Sequence, residues 1–247
     1  WLKRKPEPSM KQTIAHKIIA TEEKNISKFF FEKGKIYTFL NPVSYLTAVK
    51  EKKLFEKFDG IFADGSRLVF AILCLYGRKV TRRSFDMVGI APALFSFAND
   101  MGKSVYFIGA EQNEIEKAVD IFKAHYPKMI VAGFRNGFFK DDYEIGEEVK
   151  RVVQMQPDYL IVGMGACKQE QMLLRIHDAG YEGLGFTCGG FLRQTSLNKI
   201  NFYPAWADRW NLRFAYRMIK EKHTRSRYIL ATFKFPLRFL KERITGR

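Results

Sequence analysis

Between residues 35 and 190 the chain alternates two patterns, and no other feature restricts its fold as strongly. Short runs rich in β-branched and aromatic residues read as strands: KIYTFLN (35–41), GIFADG (60–65), SVYFIGA (104–110), KMIVAGF (128–134), YLIVGMG (159–165) and LGFTCGG (184–190). Between them, EIEKAVDIFKAHY (114–126), EIGEEVKRVVQMQ (144–156) and KQEQMLLRIHDAG (168–180) repeat apolar residues with helical spacing. Such alternation predicts βαβ units, hence an α/β fold with a Rossmann-like, mostly parallel sheet flanked by helices. The plainest unit joins strand 104–110 through helix 114–126 to strand 128–134, with Pro127 closing the helix. Ligands of these sheets bind beyond the carboxyl ends of the strands, which singles out the loops starting at Asn41, Asp64, Gly109, Gly133, Gly163 and Gly189.

The 247 residues, 47% of them hydrophobic, suffice for one large domain or for one domain with an appendage. The sheet pattern stops near residue 200, so the division expected is a Rossmann-like domain over 10–205 and a basic, aromatic helical appendage over 206–247. The nine residues ahead of Met10 carry no functional weight. Cys74, Cys167 and Cys188 stand far apart without CxxC spacing, which points to reduced thiols rather than a disulfide framework or a zinc site. No apolar run approaches the roughly 20 residues needed to cross a bilayer, and WLKRKPEPSMKQ lacks the apolar centre of a signal peptide. The expectation is a cytoplasmic protein that neither spans the membrane nor is exported.

A net charge of +16 calls for an anionic partner, and nucleic acid, acidic lipid and phosphorylated substrate all qualify. The excess is local: from Arg209 to Arg247 twelve Lys or Arg face two acidic residues, Glu221 and Glu242. From Tyr228 to Ile244 the apolar Ile229, Phe233, Leu237, Leu240 and Ile244 recur at helical steps beside a stripe of Lys234, Arg238 and Lys241. This is the pattern of an interfacial helix, with Pro236 expected to bend or interrupt it. A C-terminal helix packed on the core with a solvated charged face is the ordinary alternative.

Among the loops, GMGACKQEQ (163–171) is the most suggestive. Gly163 and Gly165 allow close approach of a ligand, and the start of the next helix with Lys168 suits an anion. It is neither a P-loop nor GxGxxG, since Lys168 fills the third glycine position, so a purely structural βα turn is at least as good a reading. Asp141-Asp142 reads as a helix start, no DxD motif occurs, and His16, His125, His177 and His223 lie in unlike contexts; no metal and no histidine base are expected.

Taken together, LIVGMGACKQEQ, FLNPVSYLTAV with Asn41-Pro42, GIFADGSRLVFA with Asp64, RRSFDM with Arg83 and Asp86, TCGGF with Gly189-Gly190, and NLRFAYRMIKEKHTRSRY resemble, in order and spacing, the WecG/TagA/CpsF glycosyltransferases, glycosyltransferase family 26. The resemblance covers roughly residues 35–230. It implies a Rossmann-like fold of the type designated GT-E and an inverting transfer of a sugar (N-acetylmannosamine, its uronate, or a hexose) from a UDP-sugar to a polyprenyl-diphosphate-linked saccharide. That reaction uses no cofactor and no essential metal, and takes place at the inner face of the bacterial plasma membrane during surface polysaccharide synthesis. It implies Asp64 as the base, with Asn41 helping to place the donor or acceptor; as a bare Asp-Gly pair, Asp64 would otherwise be a turn residue like Asp59.

Nucleotide contact falls to Gly109, Gly163, Gly165, Lys168, Gln169, Glu170, Gly189 and Gly190, and sugar contact to Arg83, Asp86, Gln194 and Thr195. The ordinary reading of Lys168, Gln169 and Glu170 is a solvated first helical turn, and that of Arg83 and Asp86 an ion pair. Arg217, Arg225 and Arg227 match the family's acceptor-diphosphate arginines.

The chain departs from the family's pattern in five places: Phe39 stands where Thr is usual, Ser84-Phe85 precedes Asp86 in place of a glycine, Ala166-Cys167 replaces the usual proline-containing turn, Arg193-Gln194 follows the paired glycines in place of an acid, and Glu221-Lys222-His223-Thr224-Arg225 lacks the proline of the family's EPxR run. Arg193 would suit an acidic donor sugar such as a uronate. Nucleic acid is not expected as partner, since RRM, HTH, KH and zinc-finger signatures are missing. A Rossmann oxidoreductase and a non-catalytic membrane-docked binding protein are the competing readings.

Overall fold

In the computed structural model, residues 13–23, 25–198, 204, 209–210, 213–220 and 225–245 are described. The expected boundary at 205/206, Met10 and residues 221–224 of the family's EPxR segment lie outside them. In chain order the elements are α1 (Ile14–Ala20), a 3-10 helix (Ile26–Phe31), β1 (Lys35–Leu40), α2 (Pro42–Lys50), α3 (Lys52–Glu56), β2 (Gly60–Ala63), α4 (Ser66–Tyr76), α5 (Ala91–Asp100) and β3 (Ser104–Gly109). There follow α6 (Gln112–His125), β4 (Ile130–Arg135), α7 (Asp142–Met155), β5 (Tyr159–Gly163), α8 (Lys168–Asp178), β6 (Leu184–Thr187), α9 (Phe191–Asn198), α10 (Arg213–Lys220) and α11 (Arg225–Thr245).

The six strands are those read from the sequence, and their sheet is parallel throughout, ordered β2-β1-β6-β5-β3-β4. β2, β3, β5 and β6 are buried on both faces apart from Ser104, as expected when crossover helices cover a parallel sheet. Because β3→β4 crosses the sheet in the opposite sense to β1→β2, β4→β5 and β5→β6, right-handed crossovers place α6 on the other face from α7 and α8. Alternate strand residues divide accordingly. Val105 and Phe107 pack with α5, α6 and α9, whereas Tyr106 and Ile108 pack with α7 and α8.

A continuous aromatic cluster fills the first layer. Phe122 stacks on Phe107 and on Phe191, with ring centroids 5.3 and 5.5 Å apart, while Phe95 meets Phe122 at 5.0 Å. Truncating Phe122 to Ala would cost about 3–5 kcal/mol by opening a cavity in this layer. A separate cluster joins α1, α2, α4 and α11: Ile14, Tyr45, Leu68 and Ile72 pack with Phe235 and Phe239 of the last helix. Pro236 does not interrupt α11, which is helical from Arg225 to Thr245. The proline is exposed, so water can satisfy the Thr232 carbonyl that loses its helical partner.

This topology puts Asn41, Asp64, Gly109, Gly163 and Thr187, the ends of five strands, along one edge of the sheet. β3 and β5 are neighbours, yet the chain leaves them in opposite directions, which opens a crevice beyond their carboxyl ends.

Candidate active site

Asn41 caps α2. Its side-chain oxygen accepts from the N–H groups of Val43 and Ser44 at 2.9 and 3.1 Å, and Ser44 Oγ accepts in return from the Asn41 N–H. With that oxygen engaged, the amide NH2 is what Asn41 has to offer a ligand. One strand over, Asp64 follows β2 directly and its N–H donates to the Leu40 carbonyl at 2.8 Å, holding the residue against the end of β1. Burial pushes the Asp64 carboxyl up to about 6; Asp86 adds to the effect, and Arg217, Arg213 and Arg82 oppose it.

Asp86 does not pair with Arg83. Its carboxylate accepts from Arg213 of α10 at 3.2 Å, and Arg213 also donates to Ser84 Oγ at 3.2 Å. Asp86 thus ties the 84–86 loop to α10 and keeps a guanidinium near Asp64. Arg83 instead donates to the Glu23 carbonyl.

The Gly163–Gln171 turn is more tightly built than its sequence suggests. A Cβ on Gly163 would lie 2.6 Å from Cys188 Sγ, and one on Gly109 2.3 Å from the Gly163 carbonyl oxygen, so both glycines serve the close approach of β3, β5 and the β6 loop. Cys167 adopts φ +69°, and its N–H donates to Glu170 Oε2 at 2.7 Å. Glu170 faces inward. Its other oxygen accepts from Thr38 Oγ1 and Gln169 Nε2, each at 2.8 Å, while Thr187 shares a 2.8 Å hydrogen bond with Thr38. Gln169 is buried too, and its side-chain oxygen accepts from the Gly189 N–H at 3.0 Å. These groups brace the β5–α8 turn against β1 and the Gly189-Gly190 loop.

A cleft of about 370 Å³ collects Asn41, Asp64, Asp86, Gly163, Gly165, Gln169, Gly189, Gly190, Gln194, Arg217 and Arg227 from seven segments of the chain. Beside it, a second cleft of about 670 Å³ lies at the β3/β5 crevice and is lined by Lys168, Ala110, Gly137, Gly163 and Arg193. A third, smaller cavity adjoins Asp64 between α4, α10 and α11, lined by Arg67, Arg82, Arg213 and Arg217.

Five expected contact residues fall outside these cavities. Glu170 is buried behind the turn, Thr195 donates to the Phe191 carbonyl within α9, Arg83 holds Glu23, and Arg225 donates to the Met218 carbonyl at the end of α10. Gly109 lines none of them and acts through backbone packing. Conversely, Arg67, Arg82, Arg213 and Tyr228 line the site and were not singled out beforehand. Arg67 sits in the turn after Asp64-Gly65, with its guanidinium 4.1 Å from the centre of the Phe214 ring; proximity to the Asp-Gly pair was the only sequence signal for it. Arg193 lines both larger clefts but pairs with Glu114 at 3.3 Å.

These features define a Rossmann-like α/β protein whose candidate ligand site lies at the carboxyl edge of its sheet, with Asp64 shielded among arginines. The sequence model of the Glycosyl transferase WecG/TagA/CpsF family matches residues 14–247, and the chain belongs to that family. It is 33% identical over 209 residues, 85% of this chain and 87% of the other, to the UDP-Gal:alpha-D-GlcNAc-diphosphoundecaprenol beta-1,4-galactosyltransferase of Shigella boydii. To the N-acetylglucosaminyldiphosphoundecaprenol N-acetyl-beta-D-mannosaminyltransferase of Bacillus subtilis (strain 168) it is 25% identical over 213 residues, 85% of this chain and 80% of the other. Both relatives are thus glycosyltransferases named for an undecaprenol-diphosphate-linked N-acetylglucosamine. Among the described residues no helix is long and apolar enough to cross a membrane.

Proposed function

We propose that the chain transfers a sugar from a UDP-sugar to a polyprenyl-diphosphate-linked saccharide with inversion, Asp64 acting as the base. The observation that carries this reading is the convergence of Asp64, the Gly163–Gln169 turn, Gly189-Gly190 and Arg217 on one cleft. Asp64 accepts the acceptor's hydroxyl proton as that oxygen bonds to the anomeric carbon. The bond from that carbon to the UDP oxygen breaks, and the electron pair leaves with UDP. A carboxyl shifted up to about 6 is a stronger base than an ordinary aspartate and is still ionised near neutral pH.

The crevice at β3 and β5 suits the nucleoside, with Lys168 facing the diphosphate, and the Asp64 cleft suits the donor sugar. Arg213 and Arg217 are placed to meet the acceptor's diphosphate on the far side of Asp64. The ion pair between Arg193 and Glu114 compensates the charge a uronate would need, which favours a neutral donor, and the galactosyltransferase relative points to a hexose. The transfer uses no metal, and the enzyme works at the inner face of the plasma membrane.

The test is a panel of UDP-sugars, neutral and acidic, with a polyprenyl-diphosphate N-acetylglucosamine acceptor, read by product mass with and without EDTA. A product from a neutral UDP-hexose that EDTA does not diminish is the expected result. No product from any donor overturns the transferase reading, a uronate preference overturns the donor assignment, and loss of product with EDTA overturns metal independence.

A further inference from the structure

The apolar stripe of α11 faces away from the molecule: Phe233, Leu237 and Ile244 are 70%, 72% and 74% exposed, while Ala231, Phe235 and Phe239 make the contacts with the core. A second helix carries a like surface. On α4, Phe70 is 66% exposed and Leu73 46%, whereas Leu68 and Ile72 are fully buried. The two helices lie side by side and run the same way. Arg67 near the start of α4 donates to Thr232 Oγ1 at 2.8 Å, and Arg243 near the end of α11 donates to the Leu75 carbonyl at 3.0 Å. Because both bury their inner faces in one cluster, their outer faces share one side of the molecule.

The rim of this surface is cationic. Lys234, Lys241 and Arg243 on α11 and Arg78-Lys79 after α4 are exposed, and the one acid of α11, Glu242, is buried. Large exposed apolar side chains bordered by lysine and arginine match a bilayer with anionic head groups. A second copy of the chain fits poorly, since pairing this face with itself would oppose two cationic rims. The cavity beside Asp64 lies toward the N-terminal ends of the same helices, lined by Ser66 and Arg67 from α4 and by Tyr228 and Ala231 from α11, with α10 on its remaining side.

We propose that α4 of the catalytic domain and α11 together form a two-helix docking surface for an anionic bilayer. Phe70 and Leu73 enter the interface beside Phe233 and Leu237, and the gap between the helices faces the lipid. Docking itself stands on the surface alone; the gap as the acceptor's way to Asp64 rests on the transferase reading above.

The experiment uses the full chain and vesicles of phosphatidylcholine with or without about one-third phosphatidylglycerol, in co-sedimentation without donor or acceptor, so its outcome is independent of catalysis. A Phe70→Ser/Leu73→Ser variant and a Phe233→Ser/Leu237→Ser variant should each bind anionic vesicles roughly tenfold or more weakly than the parent, while keeping its melting temperature. Cys74, exposed on the same face of α4, provides a second measurement. An NBD label there should shift to the blue on anionic vesicles, with a Cys74→Ser protein as the control for labelling elsewhere. Parent-like binding by the α4 variant, or an unshifted Cys74 label, overturns the proposal. So does a vesicle-free parent that light scattering shows to be a dimer and the α4 variant a monomer, since the face would then belong to a second copy. Intact docking by a chain with no transferase activity would instead overturn only the function proposed above.

Discussion

At Asp64, burial and the nearby Asp86 oppose ionisation, and three arginines relieve the opposition only in part. Two consequences follow for the residue. If it is the base, transfer should rise with pH through about 6 and level off above, and Asp64→Asn should cut turnover by about 10²–10⁴ while UDP affinity stays within a few-fold. Parent-like turnover by the variant would remove Asp64 from the chemistry. The second consequence concerns stability. A carboxyl raised on folding contributes stability that is present below its unfolded value and lost as pH rises through the folded value. Asp64→Asn should therefore melt higher than the parent at pH 8, by an amount on the order of 1–2 kcal/mol once solvent screening in the open cleft is counted, with the gain vanishing toward pH 4. Thermal denaturation at the two pH values checks the sign. The identity of this aspartate was legible only through its family resemblance; its carboxyl is pushed up by burial and by Asp86, against Arg217, Arg213 and Arg82, all contributed by other segments of the chain.

Two elements owe their placement to buried carboxylates. Glu170 holds Thr38, Gln169 and the Cys167 N–H, so Glu170→Ala should destabilise the protein by about 2–4 kcal/mol, leaving buried donors unpaired. It should also raise KM for the donor through a loosened turn; an unaltered KM would deny the turn its place at the nucleotide. Its ordinary sequence reading was a solvated first helical turn, and the burial of Glu170 could not be inferred because Thr38, itself bonded to Thr187, reaches it from a distant strand. Glu242, 2% exposed, accepts from the Ile14 N–H at 3.0 Å and from Tyr45 at 2.5 Å, fastening α11 to α1 and α2. Burial and the Glu242 carboxylate keep the Tyr45 hydroxyl protonated far above its ordinary range. Glu242→Ala should cost about 2–4 kcal/mol in urea unfolding, and a cost near zero would mean that the Phe235 and Phe239 contacts suffice.

For the whole molecule, the proposed ligand surface is the strand-end edge, so a ligand there should stabilise the whole fold. UDP at about 100 times its Kd should raise the melting temperature by on the order of 5–10 °C, and NAD should not. Protection by NAD instead would revive the oxidoreductase reading. Deleting residues 229–247 is a poor probe of membrane contact, because it would strip Phe235, Phe239 and Glu242 from the cluster shared with α1, α2 and α4. Substitution of outward-facing residues separates docking from folding.

All six strands and the helices α6, α7 and α8 could be read from the chain, because a two-sided buried strand and an amphipathic helix each leave a periodic record of local geometry. The apolar stripe of α11 was visible for the same reason. Periodicity did not single out α4, whose SRLVFAILCLY is apolar on nearly every side, since one face meets the core and another is exposed. GMGACKQEQ carried its turn in its glycines, Gly165 with φ +80° among them, but the purpose of Gly163, close packing against the β6 loop, depends on neighbours more than 20 residues away. Sequence alone determined the layered α/β architecture, the cationic excess of the C-terminal region and, through motif order, the family. Only the tertiary structure decided which carboxylate is exposed to a ligand and which is locked inside, and which arginines gather at Asp64. Those depend on pairings between segments whose separation along the chain leaves no local trace.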